Sequence, residues 1–137
     1  DGGRTWALVG PAPQGLIDIA ASSTDAARLY AATQQGLLVS EDSGRSWQPA
    51  HLLRRPASMI EAASDGWIYA FMLGSGLLRA EEPSLAWQAL SNDFGDSYLL
   101  HFAADPANAS RQFASTQNNE LLTSDDGGRT WRRLGAP

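Results

Sequence analysis

Cysteine is absent from the 137-residue chain. Its absence removes disulfides and thiolate metal sites but leaves the compartment open, since a periplasmic or secreted protein need not use either. Lysine is absent too: all ten basic residues are arginine, a bias that fits a GC-rich genome and carries no functional message. Long apolar runs are missing, none approaching the roughly 18 residues of a membrane-spanning helix, and no basic stretch followed by an apolar one opens the chain as in a signal peptide. Positive charge is scarce. Ten basic against 15 acidic residues leave a net charge of −5, which argues against a nucleic-acid surface. The one dense basic run, Arg129, Arg132 and Arg133, spans a turn and a strand end and reads as a solvated face. A hydrophobic content of 43% with 18% charged residues is that of a globular chain of one-domain length.

Internal repetition is what the sequence does have, and it decides the architecture. The octapeptide SDDGGRTW at 124–131 returns as SEDSGRSW at 40–47 and, shortened, as DGGRTW at 1–6. Trp6, Trp47, Trp87 and Trp131 are spaced by 41, 40 and 44 residues, the length of a four-stranded blade. Three short apolar runs precede each of the last three tryptophans. They read LIDIAA (16–21), LYAAT (29–33) and GLLVS (36–40); then MIEAA (59–63), IYAF (68–71) and GLLRA (76–80); then LLHFAA (99–104), QFAST (112–116) and ELLTS (120–124). Runs this short between turn formers predict strands, with a fourth beginning at each tryptophan. SSTD, DPAN and SDG interrupt every alanine-rich candidate helix before it reaches helical length. The expected fold is all-β, a β-propeller of four-stranded antiparallel blades with about three blades in this chain.

The octapeptide falls where a hairpin must turn between the third and fourth strands. Asp42 and Asp126 can accept hydrogen bonds from the turn's own amides, and Ser40 and Ser124 can join them. Gly44 and Gly128 supply the positive φ of a tight turn, and Trp47 and Trp131 can lay their rings over it, burying on the order of 200 Å² each. These residues resemble the Asp-box, the S-x-D-x-G-x-x-W repeat first associated with bacterial neuraminidases and found in many β-propellers. The chain as a whole is similar to the sialidase-like and glycosyl hydrolase-like repeat proteins of bacteria, with DPAN at 105–108 and RLYAAT at 28–33 echoing part of their blade phrase. The first copy keeps Asp1, Gly3 and Trp6. The middle copy is degenerate, with Ala80, Glu82, Ser84 and Trp87 at the motif positions and Pro83 expected to support its turn.

Three blades fall short of the four to eight that close a ring. The remaining blades of a longer chain, or a second copy of this one, are therefore expected to complete it. Residues 1–14 read as the last strand of a preceding blade, with the strand itself at 5–9, and 15–54, 55–97 and 98–137 read as blades.

Alternating connections place the Asp-box turns on one face of such an assembly and the remaining loops on the other, the usual ligand side. On that side fall His51, Arg54 and Arg55, whose two guanidiniums suit bidentate binding of a carboxylate or phosphate. With them fall Gln34, Gln35, Gln117, Asn118 and Asn119, amides of the sort that hydrogen-bond sugars. Aligning the first strands on Ala-Ala-Ser, Ala-Ala-Ser and Ala-Ala-Asp makes Asp18, Ile60 and His101 equivalent, so that Asp18 and His101 would face one axis. A histidine and a carboxylate can hold a metal, but with two histidines in the chain and no H-x-H pair the expectation is a structural histidine, no metal and no cofactor. Resemblance to the sialidases would imply an arginine triad, a tyrosine nucleophile paired with glutamate and an aspartate acid/base. Tyr30 and Tyr69, however, share one repeat position with Phe113 and read as packing residues, and no F-R-I-P-like motif is present. The expected function is a non-catalytic scaffold binding a protein or carbohydrate ligand, without nucleic acid or membrane insertion. The alternative is an exo-sialidase or other glycosidase whose catalytic residues lie largely outside this segment. Resemblance implies a periplasmic or secreted location.

Overall fold

The chain forms twelve strands and, among the described residues, no helix, in a computed structural model that describes residues 1–135. Residues 136 and 137, at the end of the expected third blade, lie outside the described residues. Blade 1 comprises β1 (Leu16–Ala21), β2 (Leu29–Thr33), β3 (Gly36–Ser40) and β4 (Gln48–Pro49). Blade 2 comprises β5 (Ala57–Ala62), β6 (Trp67–Met72), β7 (Gly76–Glu81) and β8 (Gln88–Ser91), and blade 3 β9 (Leu99–Asp105), β10 (Asn108–Thr116), β11 (Leu121–Ser124) and β12 (Arg132–Arg133). Each is a separate four-stranded antiparallel sheet with its strands paired in chain order. The fold is a partial β-propeller.

Position in the stack explains each blade's burial pattern. Blade 2 is covered on both sides, so WIYAFM in β6 is buried almost without alternation. Its Ile60, Ile68, Ala70 and Met72 face Tyr30, Ala32, Leu37 and Val39 of blade 1. Its Met59, Tyr69, Phe71 and Leu77 face Leu99, Phe102 and Ala114 of blade 3. The innermost strands of neighbouring blades are also tied by hydrogen bonds: the Ile60 amide donates to Asp18 Oδ2 at 3.0 Å and the Ser58 hydroxyl to the Leu99 carbonyl at 2.5 Å.

Two expectations need correction. Residues 5–9 form no strand, because strand d of a blade needs a strand c to pair with and none accompanies it here; Trp6 and Leu8 are exposed. The repeat alignment of the inner strands is off by one residue in blade 2. Tyr30, Tyr69 and Phe113 pair with Ala20, Glu61 and Ala103, so Met59, not Ile60, is equivalent to Asp18 and His101. A shorter connection in blade 2 causes the slip: Ala63 bonds Trp67 across that turn, where Ser22 reaches Arg28 in blade 1.

Candidate functional site

The Asp-box turns are built by their own side chains. Asp126 Oδ1 accepts the amides of Arg129 and Thr130 at 3.0 and 2.9 Å, and Oδ2 the Thr130 hydroxyl at 2.6 Å. The Ser124 hydroxyl donates to Asp126 and accepts the Gly128 amide, and Trp131 Nε1 donates to the Gly128 carbonyl at 3.0 Å. Asp42, Ser40, Gly44 and Ser46 repeat the arrangement in blade 1, except that Trp47 Nε1 is buried without a partner. Even the short copy forms it. Asp1 accepts the amides of Gly3 and Arg4 and the Thr5 hydroxyl, and Trp6 Nε1 donates to Gly3.

These bonds favour ionised carboxylates. The Ser46 hydroxyl and amide, then the Ser40 hydroxyl, lower Asp42 from 3.8 to about 2, and Thr130 followed by Ser124 hold Asp126 well below the ordinary range. A folded value below the unfolded one means that the stabilisation is complete above 3.8 and is lost as pH falls towards about 2. Thermal melts at stepped pH should show stability draining over that window. Asp126→Ala should lower Tm near neutral pH by roughly 5 °C and flatten the acid slope; an unchanged slope would refute this account of the turn.

The degenerate copy has exported its carboxylate. Glu82 turns to blade 1, where Tyr30 donates at 2.5 Å to one oxygen and Thr24 at 3.1 Å to the other. Burial, then this bond, push the Tyr30 hydroxyl pKa well up. The turn is closed instead by the Leu85 amide and Ser84 hydroxyl on the Glu81 carbonyl, with Leu85 in the left-handed region at φ 51°. Trp87 therefore leaves its own turn and donates Nε1 to the Ala50 carbonyl at 2.7 Å.

The loop face gathers some of the sequence candidates and spends others. Gln117 accepts the Tyr98 amide at 2.8 Å and donates to the Asp96 carbonyl at 3.1 Å, and Asn118 donates to Ser97 at 3.1 Å. Both amides staple the β10–β11 loop to the segment before β9. Asn119 holds the left-handed corner of that loop at φ 59°. Gln34 and Gln35 lie over Gly15. Asp18 gives one oxygen to the Ile19 amide and the other to Ile60, while His101 is exposed on the far side of blade 3. No group of three His, Cys, Asp or Glu suited to a metal occurs among the described residues.

Arg54 and Arg55 stay exposed on the loop joining blades 1 and 2, and among the described residues neither has an ion-pair partner. Arg55 lies over Gly74 in the β6–β7 turn. His51 lies against Trp87 at the head of this loop, where residues 49–52 and Ser84, Leu85 and Trp87 enclose a groove of about 520 Å³. Burial lowers the His51 pKa and so favours the neutral imidazole. Sequence reasoning missed Glu82, Leu85 and Trp87 as a group. The broken Asp-box was the signal that could have found them.

Residues 122–133 match the profile of the BNR/Asp-box repeat. No curated protein is significantly similar in sequence. Among solved structures the fold is similar to YCF48 from Cyanidioschyzon merolae, with 21% identity over 90% of this chain and 38% of that one and a TM-score of 0.71. It is also similar to YCF48 bound to D1 peptide, with 14% identity, 91% and 42% coverage and a TM-score of 0.69. A third is the GH74 xyloglucanase from Xanthomonas campestris, with 19% identity, 93% and 20% coverage and a TM-score of 0.62. The chain thus spans between a fifth and about two fifths of the length of these structures. It carries a BNR/Asp-box repeat, and its three blades are a segment of β-propeller.

Proposed function

We propose that this chain is a non-catalytic propeller scaffold whose loop face binds a protein partner. The observation that carries the reading is the pair Arg54 and Arg55: two adjacent exposed guanidiniums without acidic partners among the described residues, in a chain of net charge −5. A planar fork on a rigid support suits a carboxylate bidentately, so the partner is an acidic peptide segment. The Leu53 amide on His51 Nδ1 and the Leu73 amide on the Pro56 carbonyl hold the loop on either side of the pair, and a similar propeller in complex with a peptide supports the protein class of ligand.

Anisotropy of a fluorescein-labelled (Gly-Glu)5 peptide tests this. The wild-type chain should bind it with an affinity that falls as salt rises, and the double variant Arg54→Ala, Arg55→Ala should bind at least tenfold more weakly. Equal binding by both would sink the assignment.

A carbohydrate ligand is the second reading, and a glycosidase completed by residues elsewhere its catalytic form; similarity to GH74 enzymes favours it. Blade units over 15–54, 55–97 and 98–137, ring completion by further blades or a second copy, and a periplasmic or secreted location belong to the same proposal.

A further inference from the structure

The loop that carries Arg54 and Arg55 is held by few bonds, and one of them depends on an imidazole. The Leu53 amide donates to His51 Nδ1 at 2.9 Å, and among the described residues it is the one amide of residues 52–55 that makes a hydrogen bond. The next tie along the chain is the Leu73 amide on the Pro56 carbonyl, beyond the pair. Between the two the backbone lies on Gly36, where an added Cβ would stand 3.1 Å from the Leu53 carbonyl oxygen and 3.6 Å from Arg54 Cα. His51 Nδ1 does here what the side-chain oxygen of an asparagine does in an Asx-turn, capturing the amide two residues on. An asparagine oxygen accepts at every pH. An imidazole nitrogen accepts only while it is bare.

The ring itself is well placed. It lies on Trp87 with centroids 5.8 Å apart and planes at 57°, and Trp87 donates Nε1 to the Ala50 carbonyl at the root of the loop. Pro49, Ala50, Leu52, Ser84, Leu85 and Trp87 line the groove it sits in, and none of them titrates. On the packed turn the charged residues are Glu81, which is exposed, and Glu82, whose carboxylate is occupied by Tyr30 and Thr24; on the ring's own loop they are Arg54 and Arg55. Among the described residues no carboxylate pairs with the ring to favour its charged form, and burial disfavours that form. A folded pKa below the ordinary 6.5 means that the Leu53 bond is made above that pH and is lost as the pH falls through the lowered value.

We propose that His51 is a proton-sensitive latch on the arginine loop: with Nδ1 bare it holds Leu53, and with it Arg54 and Arg55, in place for a carboxylate, and on protonation it lets the loop go. A protonated Nδ1 presents an N–H to the Leu53 N–H, donor against donor, so the bond is removed and not merely weakened. The two guanidiniums then lose their fixed placement, and an acidic peptide must order the loop itself, which lowers affinity. The new positive charge acts the other way by attracting an acidic ligand, but at a half-exposed position in physiological salt that attraction is small. Weaker binding on acidification is therefore the signature of the latch. The effect on binding rests on the acidic-peptide reading above, whereas the release of the loop does not.

NMR of the whole chain from about pH 8 to about pH 5 tests the latch without a ligand. The Leu53 amide resonance should follow the same curve as the His51 ring, and its protection factor against exchange should fall about fivefold or more once the ring is protonated. His51→Asn, which keeps a side-chain acceptor at that position, should hold the amide protected across the range. His51→Phe, which keeps a ring without an acceptor, should leave it unprotected throughout. Anisotropy with a rhodamine-labelled (Gly-Glu)5 peptide, whose glutamates stay largely ionised over this range, reads the consequence for binding. The wild-type chain should lose affinity about threefold or more on acidification, and His51→Asn should not. A Leu53 amide indifferent to the His51 titration, or equal loss of binding in the wild type and His51→Asn, would overturn the proposal. A Leu53 amide that follows the ring in a chain binding no acidic peptide at any pH would support the latch and remove the arginine reading alone.

Discussion

Gly76→Ala is expected to destabilise the chain by about 3 kcal/mol or more. Gly76 opens β7 at φ 81°, a region that costs an L-residue roughly 1–2 kcal/mol on its own. The larger part is steric. A Cβ there would stand 2.3 Å from the Ser91 carbonyl oxygen and 2.9 Å from Asn92 Cα, backbone atoms of the adjoining outer strand that cannot swing aside. Relief would require β7 and β8 to part at Leu77 and Ser91, where their register already shifts. Gly66 provides the control. It has a similar φ of 86°, but its Cβ would meet only Thr24 Cγ2 at 3.8 Å, so Gly66→Ala should show the conformational cost alone. Urea unfolding of the two variants separates the terms, and equal losses would contradict the steric account.

Leu77→Ala should cost about 2–5 kcal/mol. Leu77 is fully buried among Met59, Tyr69, Phe71, Leu99 and Phe102, and reaches under the Asp-box of the next blade: a Cβ added at Gly128 would stand 3.3 Å from Leu77 Cδ2 and 2.7 Å from Gln112 Oε1. The space vacated is walled by buried side chains of two packed sheets, which can close it only in part. Leu121→Ala, at a half-exposed position on the outer side of blade 3, should cost under about 1 kcal/mol. A small loss at Leu77 would mean that the blades slide together to fill the cavity.

Much of the fold was legible because its signals are local. The strands of blade 1 over Leu16–Ala21, Leu29–Thr33 and Gly36–Ser40 coincide with the apolar runs between turn formers. Blade 3 departs in β10, which begins at Asn108 rather than at residue 112 because Asp105–Asn108 is tight enough for the hairpin to start there. The candidate site was less legible, since its side chains act across blades. Nothing in the residues around Glu82 shows that its carboxylate crosses to Tyr30 and Thr24, or that Trp87 leaves its turn for Ala50. Gln117 and Asn118 are polar loop residues in sequence, and only the fold shows them spent on Tyr98, Asp96 and Ser97.

The short Asp-box at the start of the chain forms its bonds with no strand beside it in the described structure, and all of them join residues within four positions. Contacts of that range close almost no loop, so such turns can form in the still-unfolded chain on the microsecond scale of a hairpin. The junctions are different: Asp18 must find Ile60, and Ser58 must find Leu99, across about forty residues. By topology the stacking of blades is the slower event, and the intact boxes of blades 1 and 3, whose bonds are all local, can form their turns ahead of it.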